Sequence, residues 1–238
     1  MNYQIKITIL TGLLSLSTSI SAAVFDFTPT AFGVTNEQAY ESVGMIVDGI
    51  KVDVTAYTVA NDDHGNIISQ TQVTGSHLGV NLGVYVSSSN NLGMQIRSSD
   101  SAHLDGGNVG SRYDLDEGLM FTFDQLVSLD YVNFDNFGPS DDFHLTIDGS
   151  LVLADFGRES ISPFASLIAG QREEFDFRHL TGREFFFWAD GQTDEFRINA
   201  FNVSAVPEPS SLFLFGTGLA ILAGMRLNRK KNKLKVTF

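Results

Sequence analysis

The residues best suited to chemistry in this sequence are acids grouped in short loops. Asp114, Asp116 and Glu117 fall within four positions of one another, just ahead of an apolar run, and Asp135, Asp141 and Asp142 surround the pair Gly138-Pro139. Carboxylates and loop carbonyls clustered in this way are the ligands that a hard cation such as Ca2+ requires. Asp62 and Asp63 form a third, poorer group. None of these spacings matches an EF-hand loop, and the glycine-aspartate nonapeptide of calcium-binding β-helices is absent. The expectation is therefore conditional. If the flanking strands bring the loops to one sheet end, a single Ca2+ would bridge the six acids Asp114, Asp116, Glu117, Asp135, Asp141 and Asp142. If they do not, the acids solvate turns.

Other chemistries are harder to assemble. The chain has no cysteine, which excludes a disulfide framework, a thiolate zinc site and a thiol nucleophile. The five histidines, His64, His77, His103, His144 and His179, are scattered and define no ligand spacing of the His-Glu-x-x-His kind. No Gly-x-Ser-x-Gly elbow, phosphate loop or dinucleotide fingerprint is present. Two facing carboxylates of a glycosidase would be needed for glycan hydrolysis, and 28 acids supply many pairs but no motif. Carbohydrate binding would instead use an aromatic platform with polar neighbours, for which Tyr113, Tyr131 and Trp188 are the candidates. Trp188 lies in the run Phe185-Phe186-Phe187-Trp188, which reads more readily as core.

The elements that must position these side chains read as strands. Residues 50–59 alternate, with Ile50, Val52, Val54 and Ala56 on one face. Leu119, Phe121 and Phe123 alternate likewise. Residues 127–134 change face, from Val127, Leu129 and Tyr131 to Val132 and Phe134, which predicts a bulge or a strand buried on both sides. Residues 143–154 form a hairpin with Asp148-Gly149 at its tip, and the runs 185–188 and 196–201 close the set. Helix is confined to a turn or two within 36–43 and to 164–169, where Ser162-Pro163 supplies a cap. The reading is a mostly β chain with one sandwich or jelly-roll domain, residues 24–205, whose 20 phenylalanines fill an inter-sheet core.

The ends differ from the body. Lys6 and six basic residues among the last thirteen account for seven of the 15 basic residues, so the stretch between Lys6 and Arg226 carries eight against all 28 acids, a balance of −20. That balance excludes nucleic acid as a partner. Residues 1–23 read as a signal peptide, with an apolar run over 7–20 and small residues for cleavage after Ala23 or, alternatively, after Ser21. Residues 206–238 read as a tripartite tail. It consists of Pro207-Glu208-Pro209, an uncharged stretch of 17 residues over 209–225, and a basic stop that includes Arg226, Arg229, Lys230 and Lys231. The uncharged stretch is at the lower limit for a membrane-spanning helix, and the basic cluster would hold its end on the cytoplasmic side.

This tail resembles the PEP-CTERM sorting signal in its tripeptide, its glycine-containing apolar stretch and its basic end. The resemblance implies a Gram-negative exported protein, cut by a signal peptidase and by an exosortase. It also implies a transient single-pass inner-membrane intermediate and delivery to the cell surface or an exopolysaccharide matrix. The stretch from Leu104-Asp105-Gly106 through Phe121-Thr122-Phe123 to Asp141-Asp142-Phe143 and Asp148-Gly149 also resembles the β-rich ectodomains of such proteins, which supports a sandwich and names no ligand. The reading of function is a non-enzymatic surface or matrix protein. A calcium-dependent carbohydrate-binding module and an extracellular glycan-active enzyme are the alternatives.

Overall fold

The computed structural model describes residues 22–34, 37–61, 66–89, 91–96, 102–106, 115–158, 160, 162–163, 165–168, 173–189, 191 and 193–207. The chain divides into two compact units, Met1–Val206 and Pro207–Phe238, and of the second only Pro207 is described. Residues 1–21 of the expected signal peptide lie outside the described residues. So do Glu208, Pro209, Arg226, Arg229, Lys230 and Lys231 of the tail, and Asp62, Asp63, His64, Tyr113 and Asp114. No helix of the described residues is long and apolar enough to cross a membrane.

The described residues form strands and no helix. In chain order these are β1 (Ala22–Asp26), β2 (Gln38–Tyr40), β3 (Ser42–Val47), β4 (Ile50–Asn61), β5 (Ile67–Gln72), β6 (Ser76–His77), β7 (Val80–Asn81) and β8 (Gly83–Val86). They continue with β9 (Leu92–Gln95), β10 (Leu104–Asp105), β11 (Asp116–Asp135), β12 (Asp142–Ile147), β13 (Ser150–Gly157), β14 (Ser166–Leu167), β15 (Glu174–Trp188) and β16 (Glu195–Ala205). Alternation does what the sequence predicts in β4, where Ile50, Val52, Val54 and Ala56 are all buried, and in β11, where Leu119, Phe121 and Phe123 are. The hairpin tip also forms. Ile147 pairs with Ser150, and Asp148 and Gly149 both take positive φ, 49° and 76°, the geometry of a primed two-residue turn.

Both helices expected from the sequence are replaced by ladder pairing. From Gln38 onward the segment 36–43 is extended, with β2 paired to β8 and β3 paired to β4. Ser166 and Leu167 pair with Asp176 and Phe175, and Ile168 donates its N–H to Glu174 O at 2.9 Å. In both places the edge of a neighbouring strand satisfies the backbone donors, and this outweighs a weak local helix preference.

The strands do not sort into two separate sheets. All but β6 and β7 join one 14-stranded sheet, and its long central pair, β11 and β15, folds it over. Residues 116–123 of β11 pair with β4, whereas residues 127–135 pair with β16. β15 stays beside β11 through both stretches, with register shifts between Thr122 and Val127 and between Leu129 and Tyr131. The second shift falls where the sequence pattern changes face. Irregularities of this kind bend a strand and increase its twist, and here they turn the two halves of the sheet toward each other. Rings from the two halves then meet: Phe121 lies 4.3 Å from Phe201, Phe187 5.5 Å from Phe201 and Phe143 5.6 Å from Phe175. Each buried ring contributes roughly 1.5–3 kcal/mol relative to exposure, so this phenylalanine core supplies cohesion without any disulfide.

Candidate functional site

The acid-bearing loops flank β10, β11, β12 and β16, and hydrogen bonds join several of them: Asp105 to Glu117, Gly106 to Asp194 and Asp142 to Asp194. Asp116 and Glu117 open β11 and Asp135 closes it; Asp141 and Asp142 lead into β12, and Asp194 and Glu195 lead into β16. Asp116 and Glu117 are both buried, at 8% and 3% exposure. A Glu117 carboxylate oxygen accepts the Asp105 N–H at 3.4 Å, and the Glu117 carbonyl accepts the Ala189 N–H at 3.1 Å. Asp135 accepts from Asn91 Nδ2 at 2.5 Å. Asp141 is buried and accepts the Gly138 N–H at 2.5 Å, a bond that ties down the Gly138-Pro139 turn. Asp142 donates its N–H to Asp194 Oδ1 at 3.3 Å.

These contacts give two groups with ligand-like geometry. In the first, Asp142, His144 and Asp155 each direct one donor atom to within 4.8 Å of the others. His144 is fully buried. Its Nε2 lies 3.1 Å from Asp155 Oδ1, whose side chain is 68% exposed, and its ring stacks on Trp188 at 4.9 Å. In the second, His103, Asp105 and Glu195 converge in the same way, with His103 Nδ1 2.6 Å from Glu195 Oε1. Of the five described acids among the six predicted from spacing, only Asp142 belongs to either group. Asp116, Glu117, Asp135 and Asp141 are engaged in the bonds and burial just described.

Local structure explains the first group. Asp142 and His144 are two apart on β12 and so share a face. Opposite them the ladder slips: Phe143 pairs with Phe156, but Leu145 pairs with Leu153, leaving one extra residue on β13. Asp155 sits in that irregularity with φ 47°. The bulge carries its carboxylate to His144, where regular pairing would not have placed it. Electrostatics add a second feature. Burial, followed by the charge and hydrogen bond of Asp194 and then by the charge of Asp155, pushes the Asp142 carboxyl up to about 7. Burial also raises Asp141, against the opposing hydrogen bond from Gly138 and with the charges of Asp194 and Glu195 reinforcing it. Desolvated carboxylates facing other carboxylates favour a proton or a cation in their midst.

The aromatic platforms fare differently. Trp188 is fully buried and stacks on Phe186 at 5.2 Å, so it presents no face to a sugar. Tyr131 is half-buried within β11. Sequence reasoning passed over Tyr85, which helps to line a polar cleft of about 360 Å³ with Glu37, Gln38, Asn81 and Gln95. Burial first, then the hydrogen bond and charge of Glu37, push the Tyr85 phenol up to about 12.

The described residues define a mostly β protein. The tail is identified by comparison with known families: the model of the PEP-CTERM protein-sorting motif matches residues 205–230. The match begins at Ala205, the last residue of β16. The motif implies an exported protein, held transiently in the membrane and processed by an exosortase. No curated protein and no solved structure matches the chain.

Proposed function

We propose that this chain is a non-enzymatic protein of the bacterial surface or exopolysaccharide matrix. Its sandwich-like ectodomain is carried through the membrane as a tailed precursor and is freed or transferred by an exosortase. One observation carries the reading. The sorting motif follows the folded body with almost no spacer: Val206 still donates its N–H to Leu126 O at 3.0 Å, and Pro207 is the next residue. Backbone pairing of the body thus continues up to the residue before the motif's first proline. The test is fractionation of cells with and without the exosortase. The protein is expected in the surface or matrix fraction of the first and in the inner membrane of the second; an identical distribution in both would refute the reading.

The cleft around Tyr85 favours a second reading, retention of an extracellular polysaccharide. A carboxylate, amides and a phenol ring around a cavity of this size are the groups that hold sugar hydroxyls and stack on a sugar face. A glycan array on the wild type and on Tyr85→Ala, with calcium and with chelator, tests it. Binding lost in the variant would support a carbohydrate module, and the chelator arm asks whether calcium takes part.

A further inference from the structure

We propose that Asp142, His144 and Asp155 form a binding site for a divalent transition-metal ion of the zinc type. The donor set is one imidazole nitrogen and two carboxylate oxygens. Imidazole favours zinc and its neighbours over calcium and magnesium, which take oxygen ligands. In a tetrahedral zinc site, bonds of about 2.1 Å place ligand atoms about 3.4 Å apart. His144 Nε2 and Asp155 Oδ1 are already 3.1 Å apart, and the widest separation in the group is no more than 4.8 Å, so a rotation of the Asp142 or Asp155 carboxyl closes the set.

The surroundings are those of a built site. His144 is fully buried, and its ring plane is fixed by the stack on Trp188, at 4.9 Å and 14°. Trp188 Nε1 is itself buried without a hydrogen-bond partner. An unsatisfied donor beside the imidazole has a use once a metal brings a water or anion as its fourth ligand. Asp155, with its side chain 68% exposed, leaves an entry path from solvent. Asp194, hydrogen-bonded to Asp142, is placed to orient that ligand from behind, as outer partners of metal carboxylates do. A cation would also neutralise carboxylates that now face one another. The His103 group has the less buried imidazole, its side chain 16% exposed against 0% for His144, and it serves as the internal comparison.

Trp188 is the only tryptophan in the chain, which makes it a reporter for this site. The experiment strips the full-length protein with chelator and follows tryptophan emission while Zn2+, Co2+, Ca2+ or Mg2+ is added alone. Zn2+ should change the emission saturably at one ion per chain, Co2+ should quench it, and Ca2+ and Mg2+ should do neither at the same concentrations. Asp155→Asn alters an exposed side chain and should fold as the wild type does, with an unchanged circular dichroism spectrum. It should weaken Zn2+ at least tenfold, and Asp142→Asn should do the same. Glu195→Gln should leave the response intact. Equal responses to Ca2+ and Zn2+, a Zn2+ response that survives Asp155→Asn, or one lost in Glu195→Gln would each overturn the assignment.

Discussion

Truncating Phe134 to alanine tests how the two halves of the folded sheet are held together. Phe134 is fully buried near the end of β11. Five rings surround it: Phe137 at 5.3 Å, Phe143 at 5.0 Å, Phe175 at 5.5 Å, Phe187 at 6.0 Å and Phe196 at 5.4 Å. These neighbours come from β12, from β16, from both ends of β15 and from the loop after β11, so no single shift of one strand can refill the space. A Phe→Ala change at such a site costs about 3–5 kcal/mol. For a domain of this size each kcal/mol lowers Tm by about 2–4 °C, so the drop should be roughly 6–20 °C. Thermal unfolding of the ectodomain followed by circular dichroism measures it, with Ile68→Ala, at a position 70% exposed, as the control expected to stay within about 0.5 kcal/mol of wild type. A double-mutant cycle on Phe134 and Phe143 should return about 0.5–1.5 kcal/mol of coupling. If Phe134→Ala melts with the control, the halves do not share this core and the folded-over arrangement is wrong.

Three further outcomes follow from the structure. Gly118→Ala should destabilise by about 1–3 kcal/mol through overpacking, because a Cβ there would sit 2.6 Å from the Phe186 ring and 2.8 Å from Trp188 Cβ; a displaced Trp188 emission maximum would report it, and an unchanged spectrum with unchanged Tm would contradict it. Tyr85, raised to about 12, keeps its proton in the folded state while an unfolded tyrosine ionises near 10, so its contribution is intact below pH 10 and is lost as pH climbs from about 10 toward 12. Absorbance titration should show a late-ionising phenol that moves down in Glu37→Gln, and the lack of any such late step in the wild type would refute this. The mature N-terminus should be Ala22 and not Val24, because Ala22 and Ala23 pair with Ser204 and Val203 and Ala23 is fully buried. N-terminal sequencing decides between the two cleavage points, and a start at Val24 would mean that β1 loses two of its five paired residues.

Much of the fold is legible in the sequence because period-two alternation reports one buried face directly, as in β4 and the first half of β11. The change of face read between Tyr131 and Val132 adjoins the register shift between Leu129 and Tyr131. Continuity of the sheet is not legible, because whether β11 and β15 serve one sheet or two depends on a bend whose signature is only a local irregularity. The candidate site is harder still. His144 can be placed on the face of Asp142 by counting, but Asp155 reaches them only through a bulge on the opposite strand. Asp194 arrives through a tight turn in which Asp194 accepts the Gly191 N–H at 2.6 Å. Neither carries a motif. Glu117 and Asp141, two of the six acids of the calcium expectation, each accept a backbone N–H, a contact that a list of carboxylates does not reveal.

The central claim, that this folded body is exported on a removable tail, is tested most directly by the intact mass of protein recovered from the surface of exosortase-containing cells. The account predicts a chain beginning at Ala22 and ending within or next to residues 207–209. Recovery of surface protein whose mass still includes Phe238 would contradict it.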